Sequence, residues 1–139
     1  MPAVNLDRSD RVAVFLHSGE YDRLHQGCSI AATAAAVGRP VDVFFFWYAL
    51  EALVQGKLGE PHFPGREDVA ERFESGQFPT AQALLEAARA TGKCTTYACT
   101  ASSALVGARP DRIAELVDHH VGWASILDVT RGVVERFYL

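Results

Sequence analysis

The sequence lacks a strong excess of either charge and has no apolar run long enough to span a membrane. Its 13 basic and 17 acidic side chains give a formal net charge of −4. They are scattered, so there is no basic stripe for the counterion release that drives nucleic-acid binding. The longest apolar run, at residues 43–50, is far shorter than the roughly 20 residues of a transmembrane helix. These absences argue against nucleic acid and membranes as partners.

Cysteine is also scarce, and the amino terminus shows no targeting pattern. The three cysteines are an odd number without an even disulfide framework, as expected of free thiols in a reducing compartment. Residues 1–10 are polar and charged, without the basic and apolar segments of a secretory signal. We therefore predict a cytoplasmic protein. With 139 residues and 49% hydrophobic content, it is expected to form a single domain over residues 1–139.

Segments with strand-like and helix-like patterns alternate along the chain. Apolar, aromatic or β-branched runs predict strands at residues 11–17, 40–47, 94–99 and 133–139. Helical spacing and glycine stop signals predict helices at residues 21–37, 48–55, 66–74, 80–91, 100–106, 110–117 and 122–131. This alternation is typical of parallel strands joined by right-handed crossovers. The predicted fold is a three-layer α/β/α sandwich with a mainly parallel sheet.

Three of the predicted strands end in residues suited to binding or chemistry. In open parallel sheets, ligands bind beyond the carboxyl ends of the strands. The residues at those ends are His17 with Ser18 and Gly19, Trp47 with Tyr48, and Cys99 with Thr100. We expect them at one edge of the sheet. The predicted pocket residues are His17, Gly19, Tyr48, Tyr97 and Thr100.

Cys99 is the strongest candidate for a reacting group. It lies where the third predicted strand passes into a helix. The free backbone N–H groups at the start of a helix carry partial positive charge, which stabilises a thiolate and lowers the pKa of a thiol. The alternative is a buried cysteine that fills the core as a small hydrophobic side chain.

The other two cysteines are secondary candidates. Cys94 precedes Cys99 by five residues, which along a strand separates the Cα atoms by roughly 16 Å and directs the side chains to opposite faces. A disulfide needs Cα atoms within about 7 Å, so we predict no bond between them and a core position for Cys94. Cys28 shares a helix face with Tyr21 and His25. A histidine there could activate the thiol, although packing of that face on the sheet is the simpler interpretation.

The histidines do not form a metal-binding pattern. Adjacent His119 and His120 follow Asp118 without an HExxH or CxxC frame, and adjacent histidines cannot easily direct both rings at one ion. We predict that they end a helix, where histidine interacts favourably with the helix dipole. The turn after the first strand lacks the GxGxxG and GxxxxGK[ST] phosphate motifs, although Ser18 and Gly19 could shape an anion-binding turn. We predict neither a metal nor an organic cofactor.

The segment YACTASSALVGA at residues 97–108 combines a strand ending in cysteine, a helix of small residues and a glycine. It resembles the DsrE/DsrF-like sulfur-relay family, and the order of elements extends the resemblance over nearly the whole chain. The resemblance implies an assembly of three or six subunits, a persulfide carried on Cys99, and partner proteins that donate and accept sulfur. The sequence departs from the relay members in its long segment at residues 56–79 and in having Cys28 and Cys94.

Three functions are consistent with the sequence. In the leading hypothesis, a small cytoplasmic thiol protein accepts and passes on sulfur as a persulfide of Cys99. Its aromatic residues at 44–48 and 137–138 either contact other subunits or pack in the core. The alternative is a non-catalytic subunit of an oligomer that binds a small ligand or acts as a scaffold, with its thiols in the core. A thiol peroxidase would need a resolving thiol, either Cys28 or a cysteine of another chain.

Overall fold

The structure, a computed structural model, describes residues 10–139. Within them the strands are β1 (Val12–Leu16), β2 (Val41–Phe45), β3 (Cys94–Cys99), β4 (His119–Val121) and β5 (Glu135–Tyr138). The helices are α1 (Tyr21–Ala36), α2 (Trp47–Val54), α3 (Glu67–Glu74), α4 (Ala81–Ala90), α5 (Thr100–Leu105), α6 (Pro110–Leu116) and α7 (Trp123–Val129), with a 3₁₀ turn at Lys57–Gly59. The predicted α/β class is confirmed. The prediction that the amino terminus carries no secretory signal concerns mainly residues 1–9, which lie outside the described part of the chain.

The five strands form one parallel sheet in the order β4-β3-β2-β1-β5. From β1 the chain moves through β2 and β3 to the β4 edge, and α7 then carries it back to place β5 on the other side of β1. Every residue of β1 and β2 is buried, as expected of interior parallel strands. Because all strands are parallel, their carboxyl ends meet at one edge, which we call the carboxyl edge.

Helices cover the two faces of the sheet unequally. On one face, α1, α2, α4 and α6 contribute buried residues such as Leu24, Leu50, Leu85 and Ile113 to the larger core cluster. On the other face, within residues 10–139, the buried cluster takes its helical members from α7 alone, with Ile126 fully buried. We call these the helical face and the α7 face. Helices on both faces are compatible with the predicted three-layer sandwich, although one outer layer is thin.

The predicted helix end at His119 and His120 is wrong, because these residues begin strand β4. The cause is the preceding residue, Asp118, whose carboxylate accepts hydrogen bonds from Thr96 N at 2.8 Å and Thr96 Oγ1 at 3.0 Å. Arg89 donates to the same carboxylate at 3.1 Å. These contacts hold the chain beside β3. A strand of three residues is too short to show periodicity in the sequence.

Strand β2 ends at Phe45, before its predicted end at Trp47, and Trp47 instead begins α2. Trp47 has a φ angle of +45°, in the left-handed region that residues other than glycine rarely adopt. Ala49 N donates to His17 O at 3.1 Å, which holds this turn against the end of β1. Tyr48 lies in the first turn of α2, as predicted, and the helix begins one residue earlier than expected.

The segment at residues 56–79 is attached to α1 by Tyr21. The Tyr21 hydroxyl donates to Leu58 O at 2.8 Å and accepts from Ala81 N at 3.0 Å, so one side chain contacts the chain near both ends of the segment. The rings of Phe63 and Phe73 pack edge-on against Tyr21, with centroids 5.5 and 5.9 Å away. The predicted helix in this segment is confirmed as α3, which buries none of its residues.

Candidate functional site

Cys99 ends β3 and occupies the N-cap position of α5. Its backbone lies beside Val121 of β4. The side chain is only 2% exposed and belongs to the buried cluster of the α7 face, which also contains Phe46 and Ile126. The structure therefore places Cys99 at the junction of strand and helix that was predicted, with the thiol covered by apolar side chains.

Cys28 and Cys94 lie in the core of the helical face. Burial raises the pKa of each thiol to about 12, and the neighbouring Cys94 contributes to the shift of Cys28. Both remain protonated at neutral pH and are poor nucleophiles. The prediction that Cys94 is a core residue, with its side chain on the opposite face from Cys99, is confirmed.

The predicted pocket residues divide into separate groups. Gly19 lies against Tyr48, because a Cβ on Gly19 would be 3.2 Å from Tyr48 O. Thr100 follows Cys99 at the carboxyl edge and is exposed. Gly19 and Tyr97 line two different cavities, of about 480 and 250 Å³. The structure thus brings Gly19 to Tyr48, while Tyr97 lies farther along the strand from the carboxyl edge.

Tyr97 is buried in the sheet and interacts with the buried carboxylate of Asp42. It stacks on Phe44 with ring centroids 4.6 Å apart. Asp42 is 1% exposed and accepts from Arg11 Nη1 at 3.2 Å. Burial, and next the charge of Asp42, raises the pKa of Tyr97 to about 12. Tyr97 is therefore a neutral phenol across the physiological range and cannot supply a base for Cys99.

His17 belongs to a stack of rings at the carboxyl edge, on the α7 face. The Phe46 ring is 4.5 Å from the His17 ring and 5.0 Å from that of Trp123, with interplanar angles of 6° and 18°. Burial lowers the pKa of His17 below its ordinary value of 6.5, so its ring is neutral at pH 7. We call His17, Phe46 and Trp123 the ring stack. It adjoins Cys99 because Phe46 and Cys99 share one buried cluster.

A row of rings across the whole sheet escaped sequence analysis. In register on neighbouring strands lie Tyr138, Phe15, Phe44, Tyr97 and His119. Successive ring centroids are 4.7, 4.9, 4.6 and 5.1 Å apart. Each aromatic pair adds about 0.5–1.5 kcal/mol beyond the burial of its area. The row gives the α7 face a rigid floor, which only the register between strands could reveal.

Sequence analysis also missed a hydrogen-bonded pair next to Thr100. Ser103 Oγ donates to Thr100 O at 2.8 Å and lies 2.9 Å from His120 Nε2. Because a hydroxyl has one proton and a carbonyl can only accept, the His120 Nε2–H donates to Ser103. Ser103 is buried, so the pair fastens the first turn of α5 to β4. Its two residues are seventeen positions apart in sequence, and His120 belongs to strand β4, which was not predicted.

A recess lies at the start of α1, beside the carboxyl edge. Its volume is about 480 Å³, and Gly19, Tyr21 and Leu24 line it together with Lys57 and His62 from the 56–79 segment. Tyr21 and Leu24 belong to the core of the helical face. The recess therefore opens on the side of the sheet opposite to the Cys99 thiol.

Over residues 10–139, no group of three or more His, Cys, Asp or Glu side chains is arranged to hold a metal ion. No helix in the same range is long and apolar enough to cross a bilayer.

No protein-family model matches this chain, and no curated protein gives a significant match. The inference of function below therefore depends on the geometry of the site and on general chemistry.

Proposed function

We propose that the protein accepts and passes on sulfur as a persulfide of Cys99. The observation that carries the proposal is the position of this thiol. Cys99 ends β3 and begins α5 at the carboxyl edge of the sheet, on the face opposite the other two thiols. Cys28 and Cys94 lie in the opposite core, and burial raises the pKa of each to about 12.

The transfer we propose is a pair of thiol exchanges. The Cys99 thiolate attacks the outer sulfur of a donor persulfide, R–S–SH. The bond between the two donor sulfurs breaks, a bond between Cys99 Sγ and the outer sulfur forms, and the donor leaves as the thiolate R–S⁻. An acceptor thiolate then attacks that outer sulfur and Cys99 leaves as a thiolate. Atoms and charge balance at each step, with no net oxidation, so no metal or organic cofactor is needed.

The surroundings of Cys99 suit a labile sulfur. The thiol is 2% exposed and lies among apolar residues of the α7 face, including Phe46 and Ile126. Exclusion of water protects a reactive intermediate from side reactions. The three cysteines are free thiols in the structure, which fits the reducing cytoplasm that we propose as the compartment.

We further propose that the chain forms a homo-oligomer, a trimer or hexamer, and exchanges sulfur with donor and acceptor proteins. Large aromatic side chains are exposed at Trp47, Tyr48 and Tyr138. Exposed aromatic side chains are enriched at protein interfaces. Sedimentation velocity tests the assembly: we expect a species of three or six chains, whereas a monomer at all concentrations would contradict it.

The test of sulfur transfer is a brief exposure to a donor protein that carries a persulfide, followed by peptide mass spectrometry. We expect the wild type and the matched variants Cys28→Ser and Cys94→Ser to gain one sulfur on the peptide containing Cys99. Cys99→Ser should gain none. Equal uptake by Cys99→Ser and wild type, or uptake only at Cys28 or Cys94, would overturn the proposal.

A second candidate function is the binding of a small anionic ligand without catalysis. The recess of about 480 Å³ at the start of α1 supplies the space, and its polar lining consists of Lys57 and His62 together with Glu20 and Glu60. Titration calorimetry with inorganic phosphate and sulfate distinguishes the candidates. Binding that Lys57→Ala removes and Cys99→Ser leaves unchanged would support this function. Absence of binding in the wild type would count against it.

A further inference from the structure

The cover over Cys99 has a role that sulfur exchange alone does not explain. The thiol must meet the sulfur of another molecule, yet it is only 2% exposed. It faces the α7 face, where α7 is the helix that contributes to the buried cluster within residues 10–139. A donor therefore reaches Cys99 only if part of that cover moves.

Trp123 is the residue of α7 that follows the strand beside Cys99. Val121, which pairs with Cys99 in the sheet, leads through Gly122 into Trp123, the first residue of α7. The indole stacks on Phe46 at 5.0 Å and lies 6.5 Å from the Phe15 ring. Phe15, Phe46 and Cys99 belong to the same buried cluster. The indole thus lies over the cluster that contains the thiol.

Of the rings in the ring stack, that of Trp123 can move away from the cluster at the lowest cost in free energy. It is 45% exposed, whereas Phe46 is 2% exposed and is also held by the His17 ring at 4.5 Å. Moving Phe46 would break the core of the α7 face. Moving Trp123 would expose less additional surface than moving Phe46, because Trp123 is already 45% exposed.

The start of α7 is weakly held apart from this stacking. Its N-cap residue, Gly122, has no side chain to bond the free N–H groups of the first turn, which a capping side chain would stabilise by about 1 kcal/mol. The next turn is anchored by Ile126, which is fully buried. The first turn can therefore open while the rest of α7 stays in place.

We propose that Trp123 determines which sulfur partners reach Cys99. The indole blocks small solutes from the thiol. A protein partner whose apolar surface binds the indole displaces it and makes the thiol accessible. Trp123 thereby excludes low-molecular-weight persulfides in favour of the donor and acceptor proteins already proposed. This inference rests on the proposed function of Cys99, although its first test measures access alone.

The test compares alkylation rates of Cys99 by a small thiol reagent in the native protein. We expect Trp123→Ala to raise the rate roughly tenfold, as loss of one aromatic stack implies. Leu127→Ala, a matched truncation of an exposed residue one turn later in α7, should leave the rate unchanged. Trp123→Phe, which keeps a ring, should remain close to wild type.

Cys28 and Cys94 serve as internal controls for unfolding. If Trp123→Ala accelerates alkylation at Cys99 alone, the cover has opened locally, as proposed. If all three thiols accelerate together, or if the Cys99 rate equals that of wild type, the inference is wrong. Rapid sulfur uptake by wild-type Cys99 from a small persulfide would also overturn it, while leaving the proposed function intact. Conversely, a Cys99 that Trp123→Ala opens but that takes up no sulfur would contradict the proposed function alone.

Discussion

The two faces of the sheet differ in how they are covered and in which thiols they hold. Within residues 10–139, the helical face packs four helices over β1, β2 and β3 and holds Cys28, which is fully buried, and Cys94, which is 7% exposed. The α7 face has one short helix over a row of aromatic rings and holds Cys99 near the carboxyl edge. A thick layer supplies stability but makes a thiol inert. A thin layer costs stability yet lets a buried thiol be reached by a local movement.

The largest expected effect tests whether the helical face dominates stability. Leu50 is fully buried there, so Leu50→Ala should lower the free energy of unfolding by about 2–5 kcal/mol through lost burial and a cavity. Trp123→Ala on the α7 face should lower the free energy of unfolding by less, about 1 kcal/mol, because the half-exposed ring has less buried surface to lose. Urea unfolding measures both. An equal loss of stability in the two variants would show that the helical face does not dominate the stability of the protein.

The next effect concerns the 56–79 segment on the helical face. Tyr21→Phe removes the hydroxyl that accepts from Ala81 N and donates to Leu58 O. Leaving these backbone groups without a partner should cost about 1–3 kcal/mol. Hydrogen exchange should show faster exchange at residues 56–81 than elsewhere. Faster exchange spread evenly over the sheet would instead show that this segment and the core unfold as one unit.

A smaller effect is expected where the two faces meet at the carboxyl edge. Ser103→Ala removes the bonds to Thr100 O and His120 Nε2 and should cost about 1 kcal/mol. Because the pair fastens the first turn of α5, the alkylation rate of Cys99 should also change, measured against the neighbouring exposed control Ala104→Ser. A loss of stability with no change at Cys99 would make Ser103 a purely structural residue.

The smallest effect is a pH dependence from His17. Burial lowers its pKa below 6.5 in the folded protein, so below pH 6.5 the unfolded chain binds more protons than the folded one. Stability from this residue is complete above pH 6.5 and declines as the pH falls toward the folded pKa. The urea midpoint should fall less between pH 7.5 and 5 in His17→Phe than in the wild type. Equal pH dependence of the urea midpoint in the two proteins would show that His17 does not contribute to it.

Several elements could be predicted because their patterns are local. The bounds of β3 agree with the predicted 94–99, and α1 and α4 end within one residue of the predicted ends. Thr80 accepts from Ala83 N as the N-cap of α4, a signal that the sequence carries by itself. Strand β4 could not be predicted, because Thr96 and Arg89, distant in sequence, hold Asp118 and so place His119 in the sheet.

For the candidate site, the sequence by itself determined the position of Cys99 at the end of a strand and the start of a helix, since residue type and local pattern decide both. It also determined that Cys94 and Cys99 lie on opposite faces, because side chains alternate along a strand. Only the tertiary structure decided that Cys99 is covered and that Phe46 stacks with His17 and Trp123. Those contacts arise from strand register and from the path of α7 across the sheet. Their energies depend on residues far apart in the chain, which no local pattern records.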